Sequence, residues 1–519
     1  MPGFHIENFG CRAARADGEA MSDRLRASGH CMQQPSEADV VVVNTCSVTA
    51  EADRAARAFI RRAHRKNPEA KIVVTGCYAQ RAPEELAGLA GVAAVIGNSH
   101  KALAPEIIWG LTGSAMQRPG SGLVQIQAVE AAPPQMVWAD DLFAHSFLEE
   151  SQVVPGAQTR PNLKIQEGCG NRCTFCVIPQ TRGSSKSLPG AAVLKQVEGF
   201  IAAGGNELVF SGINMGRWGR DFSDLTPGHR QMRLEVSQAP ESGPGAPGSF
   251  RLTLAGLVRT IFEETALPRL RLSSIEPMDW NAELIGVMAE FGGAELESPR
   301  LARHAHLPLQ SGSDAVLRRM HRRYRPWHYV EKVEALLRAA GPDLTLGADV
   351  MVGFPGETDA EFEETRALIE ALPFGYLHLF PFSPRPGTPG WAMHVERPVP
   401  AAAVEERMGA LRMLAAEKSK THRRSFIDRE LEAITLHTPP EIESRGCTAA
   451  LTENFLPVEI AGLLDANRMV RVRVTGFNAE GTVQSVAAGS GQYAATAMSV
   501  SAKSVPLKSS SSPVSLASA

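Results

Sequence analysis

Aromatic residues and cysteines are both scarce: 6% of the 519 residues are Phe, Trp or Tyr, and there are 8 cysteines. So few cysteines over such a length exclude a disulfide-dense secreted scaffold, and in a reducing compartment they stay thiols available for metal binding or catalysis. There is no run of about 18 apolar residues to suggest a membrane span. Met1 to Phe9 have neither the basic stretch nor the apolar run of a signal peptide. The expected location is the cytoplasm, with no membrane partner. A dominant charge is also missing: 53 Lys and Arg against 56 Asp and Glu leave −3. Any nucleic-acid partner must therefore be met by a local basic patch.

What is present is the composition of a globular protein, 44% hydrophobic and 21% charged. A single core stops growing at about 250 to 300 residues, so several domains are expected. The chain is organised around Lys164-Ile-Gln-Glu-Gly-Cys-Gly-Asn-Arg-Cys-Thr-Phe-Cys176, which sets Cys169, Cys173 and Cys176 in a C-x3-C-x2-C spacing between flexible glycines. Three thiols on one short loop point to a metal group. Structural zinc takes four protein ligands, usually as paired units, whereas a thiolate-held iron-sulfur cluster can accept three and leave one iron open as a reaction site. Zinc, and free or disulfide-bonded cysteines, are the alternatives to the cluster.

Ahead of this loop one device recurs: Phe4 to Cys11, Val40 to Cys46 and Ile72 to Cys77 each read as a short apolar strand ending in cysteine. Helical patterns at Ala50 to Lys66 and Ala82 to Leu89 lie between them, and this alternation predicts a parallel α/β sheet. Ligands of such sheets gather at the carboxyl ends of the strands. Cys11, Cys46 and Cys77 are therefore expected to converge as a second three-thiol site, unless they are merely small buried residues at strand ends. The helix after Cys46 carries Arg54, Arg57, Arg61, Arg62, Arg65 and Lys66, either a solvated face or a contact for phosphate. Arg61 and Arg62 are its RNA-binding candidates.

The expected class is α/β: an N-terminal parallel α/β domain over 1–130, a linker at 131–158 around Pro133-Pro134, and a central barrel over 159–400. Strands are expected at Glu207 to Phe210, Arg269 to Ser273, His304 to Leu309, Leu344 to Met351 and Tyr376 to Phe380. Helices between them, such as Ala282 to Phe291 and Asp359 to Ala371, make this most of a TIM-type barrel, a partial (β/α)6 when the strand before Cys169 is counted. The Gly/Pro-rich insert at 221–250 reads as a surface loop. A connecting helix at 401–429 leads to a small β-barrel at 430–487, where Arg468, Arg471 and Arg473 offer either a basic RNA-binding face or ordinary solvent contacts. Residues 488–519 read as a disordered tail.

Polar residues cluster where barrel chemistry gathers, at the ends of strands. Glu207, Asn214, Ser274 and Glu276 are the candidates for orienting a cofactor, each of which could instead be a structural polar residue.

The chain resembles the radical S-adenosylmethionine (SAM) methylthiotransferase family from about residue 3 to about residue 486. The resemblance is carried by the six cysteines, by Ile178-Pro179 and Arg182-Gly183, and by Ser211-Gly-Ile-Asn-Met-Gly216, Arg271-Leu-Ser-Ser-Ile-Glu-Pro277, Leu307-Pro-Leu-Gln-Ser-Gly-Ser-Asp314, Asp349-Val-Met-Val-Gly-Phe-Pro-Gly-Glu-Thr358 and Phe380-Pro-Phe-Ser-Pro-Arg-Pro-Gly-Thr388. It implies two [4Fe-4S] clusters, an auxiliary one on Cys11, Cys46 and Cys77 and a SAM-coordinating one on Cys169, Cys173 and Cys176. It implies that the matching segments, with Gln310 and Val352 among them, line the SAM and substrate pocket, and that the C-terminal module is an RNA-binding TRAM domain. Asn44-Thr-Cys-Ser-Val-Thr49, Ala52-Asp53 and Gly76-Cys-Tyr-Ala-Gln80 resemble the branch acting on N6-threonylcarbamoyladenosine at position 37 in the tRNA anticodon loop. The alternatives are the N6-isopentenyladenosine branch, the ribosomal-protein aspartate branch, and a non-enzymatic electron carrier or RNA scaffold.

The implied reaction generates a 5'-deoxyadenosyl radical from SAM and inserts a methylthio group at C2 of adenine. Its implied partners are tRNA, a one-electron reductase or flavodoxin-type donor, and a sulfur donor. One departure stands out: Ala14 and Asp17 occupy positions where the family usually has asparagine and glutamate, which bears on the support around Cys11.

Overall fold

The structure, a computed structural model, describes residues 1–111, 136–141, 143, 159–224, 253–478 and 481–488. Most of the expected linker, the insert beyond Asp224 and the tail beyond residue 488 lie outside the described residues.

The N-terminal sheet is parallel throughout, in the order β2-β1-β3-β4-β5-β6, from β1 (Gly3–Asn8), β2 (Cys31–Met32), β3 (Val40–Thr45), β4 (Lys71–Gly76), β5 (Val92–Gly97) and β6 (Met136–Trp138). Side chains alternate along each strand, so the valine run of β3 serves two faces. Val41 and Val43 pack with Ile72, Val74, Ile60 and Leu86, while Val40 and Val42 pack with Val73, Met21, Leu25 and Ile108. That double coverage is why the strand reads as an unbroken apolar run.

Met136–Trp138, inside the expected linker, is instead an edge strand paired to β5; three residues are too few to show a strand period. The single helix expected at Ala82 to Leu89 is instead two short helices, Cys77–Arg81 and Pro83–Ala87. They break at Ala82, whose α conformation the following proline disfavours.

The central domain is an open barrel of six parallel strands: β7 (Asn162–Glu167), β9 (Glu207–Gly212), β10 (Arg269–Leu272), β11 (His304–His306), β12 (Thr345–Val352) and β13 (Phe374–Pro381). The two-residue β8 (Lys186–Ser187) lies antiparallel on the outer edge of β7. Single bridges, Leu270 to Leu301 and Ser274 to His306, join β10 to β11. Outward side chains such as Leu208, Phe210, Leu270, Leu346 and Val350 enter one apolar core with the surrounding helices. The alternate residues, among them Glu207, Arg271, His306, Asp349 and Tyr376, face inward, so the barrel interior is polar.

The helix Ala401–Arg424 leads to a closed barrel, β14-β15-β16-β18-β17, built from β14 (Glu430–Thr435), β15 (Cys447–Thr452), β16 (Pro457–Ala461), β17 (Met469–Phe477) and β18 (Val483–Ala487). Leu431, Val458, Ile460, Val472 and Val474 fill it. It sits under the amino ends of the large barrel's strands. Arg269 reaches Glu432, Arg271 Nη2 donates to the Thr452 carbonyl at 3.0 Å, and the Phe455 ring lies 4.4 Å from that of His304. No helix among the described residues is long and apolar enough to cross a membrane.

Candidate active site between two sets of three thiols

Cys46 and Cys77 are the first residues beyond β3 and β4, and Cys11 caps the helix Arg12–Ala27 three residues beyond β1. The paired register of the strands carries all three to one edge of the sheet, as expected. Gly10 permits the approach: its φ is +108°, and a Cβ there would lie 2.2 Å from Cys46 Cβ. Burial, and then the neighbouring Cys11 and Cys77, push the Cys46 thiol up to about 12.

The second set rides the loop after β7, closed by Cys169 N donating to the Gly183 carbonyl at 3.1 Å and Cys176 N donating to the Cys173 carbonyl at 3.2 Å. Burial, and then Cys173 and Cys169, push the Cys176 thiol up to about 12. Asn214 Nδ2 donates to Cys169 Sγ at 3.5 Å and Arg322 Nη1 to Cys173 Sγ at 3.3 Å. Arg322 also contacts Glu276.

Arg182 ties the two sets together. It lies on the helix that follows the loop cysteines, yet its Nε donates to Cys77 Sγ at 3.2 Å. Its Nη1 meets Glu167 at 2.5 Å and Asp17 at 3.1 Å. Lys101 lies 2.7 Å from Asp17, and Lys164 contacts Asp17 and sits 2.8 Å from Glu167. All five side chains are buried, so this is a nearly water-free bridge of three cations and two carboxylates across the domain junction. Asp17, one of the two departures noted in the sequence, is thus a full member of it. At Ala14 the backbone serves: Asn44 Nδ2 donates to its carbonyl at 2.5 Å.

The donor chemistry fits iron-sulfur clusters. Crowded, buried thiols raise one another's pKa, and a bound metal reverses that by supplying positive charge. Among the described residues, the polar side chains that reach these sulfurs from elsewhere are donors: Asn98 and Arg182 at Cys77, Asn214 at Cys169, Arg322 at Cys173. SAM also has polar atoms to meet. Among the described residues, Ser211 Oγ, Asn214 Oδ1 and Gln310 Oε1 are buried without partners at the carboxyl side of β9 and β11, where orphaned groups fit a polar ligand.

Of the candidate residues, Asn214, Ser274, Glu276 and Gln310 lie beyond the carboxyl ends of their strands, on the side of the loop cysteines. Val352 ends β12 with its side chain in the apolar core. Glu207 is misplaced by the sequence reading. It is the first residue of β9, at the far end of the barrel, where Arg271 Nε meets it at 2.8 Å and Arg160 at 3.2 Å. Burial pushes its carboxyl up and these cations, with Arg269, outweigh that, leaving it at about 2.

Arg61 and Arg62 are exposed on the helix Ala50–Lys66. Arg468 pairs with Asp465 at 2.7 Å, Arg471 with Glu297 at 3.7 Å and Arg473 with Glu430 at 3.2 Å, so that face carries acids among its arginines. Arg322, Lys101 and Lys164 were missed. The basic stretch Arg318 to Arg325 was the one hint of Arg322; nothing local marked the two lysines.

Residues 3–97 match the model of Uncharacterized protein family UPF0004, and residues 163–369 that of the Radical SAM superfamily. The Threonylcarbamoyladenosine tRNA methylthiotransferase MtaB of Bacillus subtilis is 32% identical over 91% of this chain and 93% of its own. Its namesake from Thermotoga maritima is 30% identical over 93% and 96%. A tRNA-2-methylthio-N(6)-dimethylallyladenosine synthase of Cereibacter sphaeroides is 32% identical over 82% and 85%. Among solved structures, the radical S-adenosylmethionine methyltransferase TsrM from Kitasatospora setae aligns over 76% of this chain and 78% of its own, at 13% identity and a TM-score of 0.47. The chain belongs to the radical SAM methylthiotransferase family, a transferase whose cofactors are two [4Fe-4S] clusters and SAM.

Proposed function

We propose that this protein adds a methylthio group to C2 of N6-threonylcarbamoyladenosine at position 37 of tRNA. The observation that supports the reading is Arg182, which lies on the helix just after Cys169, Cys173 and Cys176 and donates to Cys77 of the other set. The threonylcarbamoyl branch is supported by four relatives of that name, 29% to 32% identical over 90% or more of this chain, beside which a relative named for the dimethylallyl branch covers 92% at 31%, and by the segments around Cys46 and Cys77.

An adenine C2–H bond is too strong and too weakly acidic for a side-chain base, so the reaction needs a radical. When bound, the clusters and SAM supply that radical and the transferred sulfur. The chain's own residues supply position and the exclusion of water. Cys169, Cys173 and Cys176 would hold one cluster, with Asn214 donating to the Cys169 sulfur and Arg322 to that of Cys173. Cys11, Cys46 and Cys77 hold the other, supported by Arg182 and Asn98. Asn214, Ser274, Glu276 and Gln310 orient SAM.

Arg61, Arg62, Arg468, Arg471 and Arg473 meet the tRNA backbone. The exposed ion pairs of the last three are worth little and can be exchanged for phosphate. A one-electron reductase and a sulfur donor complete the cycle in the cytoplasm. Mass spectrometry of tRNA nucleosides from a deletion strain tests the reading. The 2-methylthio form of the threonylcarbamoyl nucleoside should vanish; its survival, with loss of the methylthio group from the isopentenyl nucleoside, overturns the branch.

A further inference from the structure

Most of the charged groups inside the barrel have partners. Glu207 is occupied: its Oε1 accepts from Arg271 Nε at 2.8 Å and Arg160 Nη1 at 3.2 Å. Asp349 is occupied as well, with His306 Nε2 and His378 Nδ1 each 3.2 Å from its two oxygens. Arg269 is matched by Glu432 of the small barrel.

Arg12 is left over. It follows Cys11 at the start of the helix Arg12–Ala27, which packs on β7 and β9. Its guanidinium is half-buried, and the groups that act on it are Tyr376, Arg271 and Glu207 of the barrel interior and Arg15 of its own helix. Among the described residues it has no hydrogen-bond or ion-pair partner. Among the described residues, other nitrogens of this region are also buried without a hydrogen-bond partner, Arg271 Nη1 and His304 Nδ1 among them. A half-buried cation without a counter-ion is costly unless an anion arrives with a ligand.

We infer that Arg12 is the specificity-determining residue of the substrate site, receiving the terminal carboxylate of the N6 side chain beside the thiol set that begins at Cys11. This rests on the threonylcarbamoyl reading above. The threonylcarbamoyl group ends in a carboxylate that a guanidinium grips through two parallel hydrogen bonds, whereas an isopentenyl group offers only hydrocarbon. Placing the cation next to Cys11 makes recognition of the side chain and delivery of the base to the auxiliary cluster one event.

The test is binding of anticodon stem-loops to the cluster-loaded protein. Four loops are compared: threonylcarbamoyladenosine, its threonyl methyl ester, isopentenyladenosine or plain adenosine at position 37. Wild type should prefer the threonylcarbamoyl loop over the plain one by roughly ten- to hundredfold, and the neutral ester should bind like the plain loop. Arg12→Gln should abolish the preference while leaving affinity for the plain loop and the iron content unchanged, and Arg12→Lys should keep only the part that charge alone supplies.

An ester bound as tightly as the acid overturns the inference with wild-type protein alone. So does a preference that survives Arg12→Gln, equal weakening of all loops, which marks a phosphate contact, or loss of SAM affinity with the preference intact, which marks the SAM carboxylate. Tightest binding of the isopentenyl loop by wild type contradicts the substrate reading itself.

Discussion

The two thiol sets reach the same chemistry by opposite routes. Cys169, Cys173 and Cys176 share one short loop, and backbone bonds within that stretch fix their spacing. Cys11, Cys46 and Cys77 are brought together only by the register of β1, β3 and β4. The first set is a local solution that its sequence nearly dictates. The second exists only when the sheet is folded, and its inner thiol is braced by Arg182 from the other domain. Each also takes a cation from a distance, Arg182 for the assembled set and Arg322 for the loop, but Arg182 is embedded in a buried bridge of five charges and Arg322 is not.

Removing these cations separates the two designs. Arg182→Ala leaves two cations to two carboxylates at the domain junction but strips the hydrogen bonds that Arg182 gives to Asp17, Glu167 and Cys77, and leaving buried charged groups short of partners costs about 3 kcal/mol or more. In urea unfolding it should be the most destabilised variant, and iron should be lost from the assembled set first. Equal iron loss from both sets would erase the distinction.

Acid is the next largest perturbation. Burial pushes the Asp17 and Glu167 carboxyls up, and Lys101, Lys164 and Arg182 outweigh it, holding both below the ordinary carboxylate range. Depressed carboxyls stabilise the fold fully above their unfolded values, and that stability is lost as pH falls. Glu207, at about 2 against an ordinary 4.5, contributes about 3 kcal/mol on its own. The apo-protein should therefore lose stability steeply from about pH 5 downward, and Glu207→Gln should start less stable at neutral pH and show a shallower slope. An unchanged slope would detach these pKa values from folding. Arg322→Ala should be mildest, about 1 to 3 kcal/mol, because Glu276 retains some solvent; its effect should fall on the loop cluster, read as a shift in that cluster's reduction potential.

What the sequence made legible follows the same division. The loop spacing, the apolar runs before Cys46 and Cys77, and the strand-helix alternation are local patterns, and they placed the sheet, the open barrel and both cysteine sets. The junction charges could not be read this way: Lys164 and Asp17 lie on different domains, 147 positions apart, and buried ion pairs leave no periodic mark. Glu207 was readable and misread, since it precedes the apolar run of its strand and so belongs at the amino end. The arginines of β17 looked like a continuous basic stripe because a strand shows nothing of its neighbour, and β14 sets Glu432 and Glu430 opposite Arg471 and Arg473.

Counting iron after anaerobic reconstitution tests the central claim, that one chain carries two separate three-thiolate cluster sites. Wild type should hold about eight irons per chain, and about four should remain both when Cys169, Cys173 and Cys176 are replaced by alanine and when Cys11, Cys46 and Cys77 are. About four in the wild type, or no loss in either triple variant, would contradict it.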